Sequence, residues 1–135
     1  RDGLAQQNQK TKYNLNKNMN TTQITLGGKT RTANLGLGFL GRFEDKEGVT
    51  ITTLFQEFES KPLSVLPKLI FHSLAFELER TGQEVDFTLY DVIDWIDEDG
   101  SFNSPEALKF QNAFVAFSTA RLKSENGGKQ AKPKK

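Results

Sequence analysis

Apolar residues recur along this chain in two rhythms, and the change from one to the other divides it. In residues 21–35 the sequence "TTQITLGGKTRTANL" alternates around Ile24 and Leu26, breaks at Gly27-Gly28, and resumes with β-prone threonines. Two such runs separated by Gly-Gly predict a small antiparallel hairpin. From residue 39 the period becomes helical. "GFLGRFEDKEG" sets Phe39, Leu40 and Phe43 on one side of a short helix and supplies Gly48 as its stop, and "ITTLFQEFES" repeats the habit with Ile51, Leu54, Phe55 and Phe58. The strongest pattern is "SVLPKLIFHSLAFELERTG". There Ser64 is the expected cap, Pro67 falls in the first turn and Gly82 closes the end. Leu66, Leu69, Ile70, Leu74 and Leu78, widened by Phe71 and Phe76, mark it as the central core helix.

Two more helices complete the pattern. In "DFTLYDVIDWIDEDG" Thr88 is placed to cap, Asp91 lies near the positive end of the helix dipole, and Phe87 and Val92 are spaced for a hydrophobic staple. Val92, Trp95 and Ile96 are expected to face inward. The last helix opens on "SPE", with Ser104 capping, Pro105 at the first helical position and Glu106 complementing the dipole. It carries Phe110, Ala113, Phe114 and Phe117 on one stripe and is expected to end near Leu122. The predicted fold is therefore mainly α (α+β), a small N-terminal β-hairpin followed by about five helices packed in one domain. Its 135 residues, 36% apolar and 26% charged, suit a single core.

Charge and composition change the picture at the ends. Residues 1–18 are polar, rich in Gln and Asn, and lack periodic apolar positions, so an N-terminal extension without fixed structure is expected there. Met19 stands where patterned sequence begins, and the plainest reading makes it the natural start. Residues 123–135, "KSENGGKQAKPKK", read as a disordered basic tail after a domain spanning 19–122. The overall charge of +1 conceals an asymmetry: the two tails carry +3 and +4, which leaves the body at −6. An acidic body repels a phosphate backbone, so no specific nucleic-acid partner is expected, although the lysine tails keep weak contact open. No apolar run of about 18 residues exists to span a membrane, and no charged-then-apolar leader begins the chain. Cytosolic synthesis is the expectation.

Several segments imitate chemical motifs. Gly36, Gly38 and Gly41 spell G-x-G-x-x-G in "LGLGFLGRF", but a dinucleotide site needs a buried parallel strand before them and a βαβ unit around them. The preceding arm is too polar, and everything after Gly41 reads as helix. These glycines are expected to carry the chain out of the hairpin and let Leu35, Leu37 and Phe39 pack closely. "WIDEDGSFNSPE" approaches an EF-hand loop through Asp97, Asp99, Gly100 and Glu106, yet its first ligand position is Trp95, which cannot coordinate calcium. Asp91, Asp94 and Glu98 share one helical face opposite Trp95 and read as solvated. Cysteine is absent, which removes disulfides, thiolate nucleophiles and zinc-thiolate sites from this chain. His72, the one histidine, is expected on the rim of its helix near Lys68, Ser73 and Glu79. No catalytic residue, cofactor site or metal site is expected.

Eleven phenylalanines are many for so short a chain. They make either a closed aromatic core or a partly exposed apolar face for a partner, and the sequence leaves both open. The order of segments goes further. A β-arm with a "GGK" turn, a glycine-rich "GLGFL" leading into a helix followed by "KEGV", then "LPKLIFHSLAF", "DVIDWID" and a closing "FQNAFVAF" resembles the tail assembly chaperones of long-tailed bacteriophages over residues 22–122. The resemblance implies a non-enzymatic protein that binds the tape-measure protein during tail assembly in the host cell cytoplasm and is absent from the mature virion. It also implies a frameshifted longer form in many members, with the tail tube protein and self-association as further partners. Phe110, Phe114 and Phe117 are the candidate partner-binding residues. A minor structural tail or connector protein, and a nucleic-acid accessory factor using the lysine tails, are the rivals.

Overall fold

The computed structural model describes the backbone of residues 20–131 and the side chains of residues 20–119. The expectations for residues 1–18 and for Met19 as the start lie outside the described residues. Strands β1 (Thr21–Leu26) and β2 (Lys29–Asn34) pair antiparallel, with Thr22 opposite Ala33, Ile24 opposite Arg31 and Leu26 opposite Lys29. Gly27 and Gly28 have φ of 64° and 83°, the paired left-handed geometry of a type I′ turn, whose twist matches that of the strands. Ile24, Leu26 and Ala33 on the inner face are buried, while Gln23–Thr32 and Thr25–Thr30 side-chain hydrogen bonds stitch the outer face.

Five helices follow: α1 (Leu37–Glu47), α2 (Ile51–Ser60), α3 (Pro62–Arg80), α4 (Leu89–Asp99) and, after a 3-10 turn at Ser101–Asn103, α5 (Pro105–Ala131). The mainly α fold with a leading hairpin is as the sequence predicts. Helix α3 is the centre, packing against α1, α2, α4 and β2. It buries Val65, Leu66, Leu69, Ile70, His72, Ser73, Leu74 and Ala75, so little of its circumference faces water. Helix α5 lies against β1 and α4 on the other side of the core.

Most helix ends obey local chemistry. Thr50 accepts from the Thr53 amide at 3.1 Å, and Thr88 with Asp91 forms a reciprocal capping box. Helix α3 closes in a Schellman arrangement, with the Gln83 amide bonded to the Leu78 carbonyl and the Gly82 amide to that of Glu79. Two boundaries depart from the sequence reading. Helix α3 begins at Pro62 and not at Ser64, because proline suits a first helical position that needs no amide. Pro67 consequently stands inside the helix, where it leaves the carbonyl of exposed Leu63 without its helical donor. Helix α5 extends to Ala131, beyond the end expected near Leu122, and no proline between Leu122 and Ala131 stops it.

Candidate functional site

Of the three phenylalanines expected to meet a partner, two are core residues and the third packs against the core. Phe110 is 0% and Phe114 1% exposed, and Phe117 is partly buried against the same cluster. Phe114 is a hub: its ring stands edge-on to Phe39 of α1 at 6.2 Å and to Phe58 of α2 at 5.2 Å, and is tilted against Phe55 at 5.9 Å. Such pairs add about 0.5–1.5 kcal/mol each to the burial they accompany. The stripe thus holds α5 to α1 and α2, and a partner reaches it only if α5 comes away from the body. All eleven phenylalanines belong to the core or pack on it. This decides between the two readings left by the sequence in favour of a closed aromatic interior. Packing all these rings uses the faces of five helices at once, which a single-helix periodicity cannot reveal.

The glycine motif serves packing. A Cβ at Gly38 would lie 1.9 Å from Cζ of Phe76, so the missing side chain is what lets α1 and α3 approach. Gly36 provides the N-cap position of α1, and a Cβ at Gly41 would meet open space. Leu35 and Phe39 are buried as expected, but Leu37 is 71% exposed; it falls on the solvent side of the first turn of α1.

The EF-hand-like segment is likewise a joint. Asp99 accepts from the Glu106 amide at 3.2 Å and so caps α5 together with Ser104, which accepts from Ala107. The Glu106 carboxylate does more than complement a dipole, for it accepts from the Thr25 amide at 2.7 Å and ties α5 to the outer edge of β1. Among the described residues no group of three His, Asp or Glu side chains is gathered to hold a metal.

His72, expected on a helix rim, is 3% exposed. It lies between Phe43 and Phe71, edge-on to each ring at 5.1 and 5.3 Å. Nδ1 is 2.6 Å from Arg42 Nη1, and Nε2 is 2.7 Å from Glu47 Oε2. A guanidinium only donates, so Nδ1 must accept, and Nε2–H donates to Glu47. The geometry fixes one neutral tautomer. Arg42 also makes a two-pronged contact with Glu79 at 3.0 and 2.8 Å, and Lys68 lies 3.7 Å from Glu47. Burial pushes the His72 pKa down, an effect opposed by its hydrogen bond to Glu47 and reinforced by the Arg42 charge. The Glu79 carboxyl is held below its ordinary value chiefly by the Arg42 hydrogen bond. This chain of polar groups pins α1 to α3. Nothing in the local spacing identifies Arg42 or Glu47 as its members, because they lie on another helix. The one available signal is that α3 is apolar around most of its circumference, which leaves no rim for a histidine.

Two of the depressions on the surface of the described residues are notable. One, about 330 Å³, adjoins β2 and the C-terminal end of α3; the other, about 240 Å³ and mostly apolar, lies between the start of α3 and α4 with Leu63, Ile93 and Phe102 on its walls. Among the described residues the large apolar side chains left outside are Leu37, Leu63, Tyr90, Leu108 and Val115. They come from four helices, Leu108 and Val115 both lying on α5. Comparison with known protein families, curated proteins and solved structures returns no match for this chain. No helix among the described residues is long and apolar enough to cross a membrane.

Proposed function

We propose that this chain is a phage tail assembly chaperone, a non-enzymatic protein that binds the tape-measure protein during tail assembly in the host cytoplasm. The observation that carries the reading is the succession of segments in residues 22–122, from the "GGK" arm through "GLGFL" and "DVIDWID" to "FQNAFVAF". Charge supports it: a body of −6 keeps a complex with an aggregation-prone client dispersed.

The aromatic stripe is not the means of contact in this reading. With Phe110 and Phe114 sealed, the client meets outward apolar side chains such as Leu63 and Tyr90, which are 69% and 76% exposed. Co-expression with the tape-measure protein is the test. The expected result is that the tape-measure protein stays in the supernatant and co-purifies with this chain, and that Leu63→Asp with Tyr90→Asp weakens the association while the fold is retained. A tape-measure protein that sediments equally with and without this chain refutes the proposal.

A further inference from the structure

The two edges of the hairpin are not equivalent. Around a two-residue type I′ turn, the pairs Leu26–Lys29, Ile24–Arg31 and Thr22–Ala33 exchange main-chain hydrogen bonds, so the amides and carbonyls of Thr25 on β1 and of Thr30 and Thr32 on β2 point outward. The difference lies near the turn: on the β1 side Glu106 takes the Thr25 amide at 2.7 Å and α5 and α4 pack against the strand, while no described residue bonds the outward main-chain groups of Gln23. On the β2 side no described residue bonds the outward main-chain groups of Thr30 or Thr32. An unpaired edge is a template for another extended chain.

This open edge forms one wall of the 330 Å³ depression. Leu74, Leu78 and Phe87 line its apolar part, and Glu77, Glu84 and Asp86 supply carboxylates across from the strand. Of the basic groups beside it, Arg31 is turned inward, with its guanidinium 4.0 Å above Trp95 and 5.4 Å from Phe87, which leaves Lys29 at one end. Glu77 is shared with Asn34 and Arg80. Glu84 and Asp86 make no hydrogen bond or close ion pair with a described residue; Asp86 acts on Arg31 only through its longer-range field.

We propose that this edge takes an extended, lysine- or arginine-bearing segment of a partner protein as a third strand beside β2. The main chain of such a segment pairs with Thr30 and Thr32. Alternate side chains then fall toward Leu78 and Phe87, and its basic groups reach Glu84 and Asp86. A helix presents no lateral main-chain donors to pair with the edge, and the carboxylate wall repels nucleic acid. The inference is independent of the chaperone reading.

The test titrates the full chain with a labelled eight-residue peptide of alternating Lys and Val, and with its Glu-Val counterpart. The Lys-Val peptide is expected to bind, to lose affinity as salt is raised, and to slow amide exchange at Thr30 and Thr32 by about tenfold as new main-chain bonds form. The Glu-Val peptide is expected not to bind. Glu84→Lys, an exposed substitution, is expected to weaken the Lys-Val peptide by about fivefold or more. Thr32→Pro, which removes one outward amide at an edge position that tolerates proline, is expected to weaken it further. Equal binding of the two peptides, binding that leaves Thr30 and Thr32 exchange unchanged, or full affinity in Glu84→Lys overturns the proposal. So does a gain in peptide affinity on removing residues 1–19, or edge protection that depends on protein concentration, because those results assign the edge to the chain's own leader or to a second copy.

Discussion

Replacing Gly38 by alanine tests the packing role of the glycine stretch, with Gly41→Ala as its internal control. Both residues lie in α1, yet their surroundings are opposite. A Cβ at position 41 meets nothing within 4 Å, so Gly41→Ala gains helix propensity alone, about 0.5–1 kcal/mol. At position 38 the new Cβ would stand 1.9, 2.4 and 2.6 Å from three atoms of the Phe76 ring. The ring has to move, and overpacking of this kind costs about 1–3 kcal/mol. The propensity gain is smaller at the second residue of a helix, so a net loss of about 1–2 kcal/mol is expected. For a domain of this size, thermal unfolding followed by circular dichroism should show a midpoint about 5–10 °C lower for Gly38→Ala and about 2–6 °C higher for Gly41→Ala. In a Phe76→Ala background the penalty at position 38 should vanish. If Gly38→Ala is as benign as Gly41→Ala, or keeps its full cost once Phe76 is truncated, the close approach of α1 and α3 through Gly38 is refuted.

Other expected outcomes follow from particular contacts. Phe114→Ala removes the hub of the aromatic cluster and should cost about 3–5 kcal/mol in denaturant unfolding. Glu106→Ala uncovers the Thr25 amide and removes a first-turn charge from α5; a loss of about 1–3 kcal/mol is expected, with faster amide exchange at Thr25. Because the His72 pKa is lowered on folding, the unfolded chain binds its proton first. The contribution of His72 is complete above about pH 6.5 and declines as pH falls below that value, with a slope of at most about 1.4 kcal/mol per pH unit. Glu79, whose carboxyl is also lowered, contributes above its unfolded value near 4.5 and is lost at more acidic pH. Urea unfolding between pH 7 and 5 should show the His72 slope in the native chain and not in His72→Gln, and nitrogen NMR should report the Nε2–H tautomer.

The hairpin and most helix ends were legible because their signals are local. Gly27-Gly28 demands a turn wherever it falls between β-prone runs, and Thr88 with Asp91 forms a capping box within one turn. The positions of α1 through α4 followed from apolar spacing for the same reason. What escaped the sequence depends on which helix faces which. The exposure of Phe110, Phe114 and Phe117 could not be judged without knowing that Phe39, Phe55 and Phe58 come to meet them. The burial of His72 required Arg42 and Glu47 from α1, and the purpose of Gly38 required Phe76 from α3. The open edge at Thr30 and Thr32 depends on tertiary structure in the same way, since Glu106, which takes the Thr25 amide on the other edge, lies 81 residues from it in sequence.

The proposed role as a transient assembly partner is tested most directly by mass spectrometry of purified phage particles alongside lysate from cells assembling them. The expected result is this chain in the lysate, associated with the tape-measure protein, and its absence from the particles. Its recovery from particles in a fixed ratio to the tail proteins contradicts the chaperone role and favours a structural component of the tail.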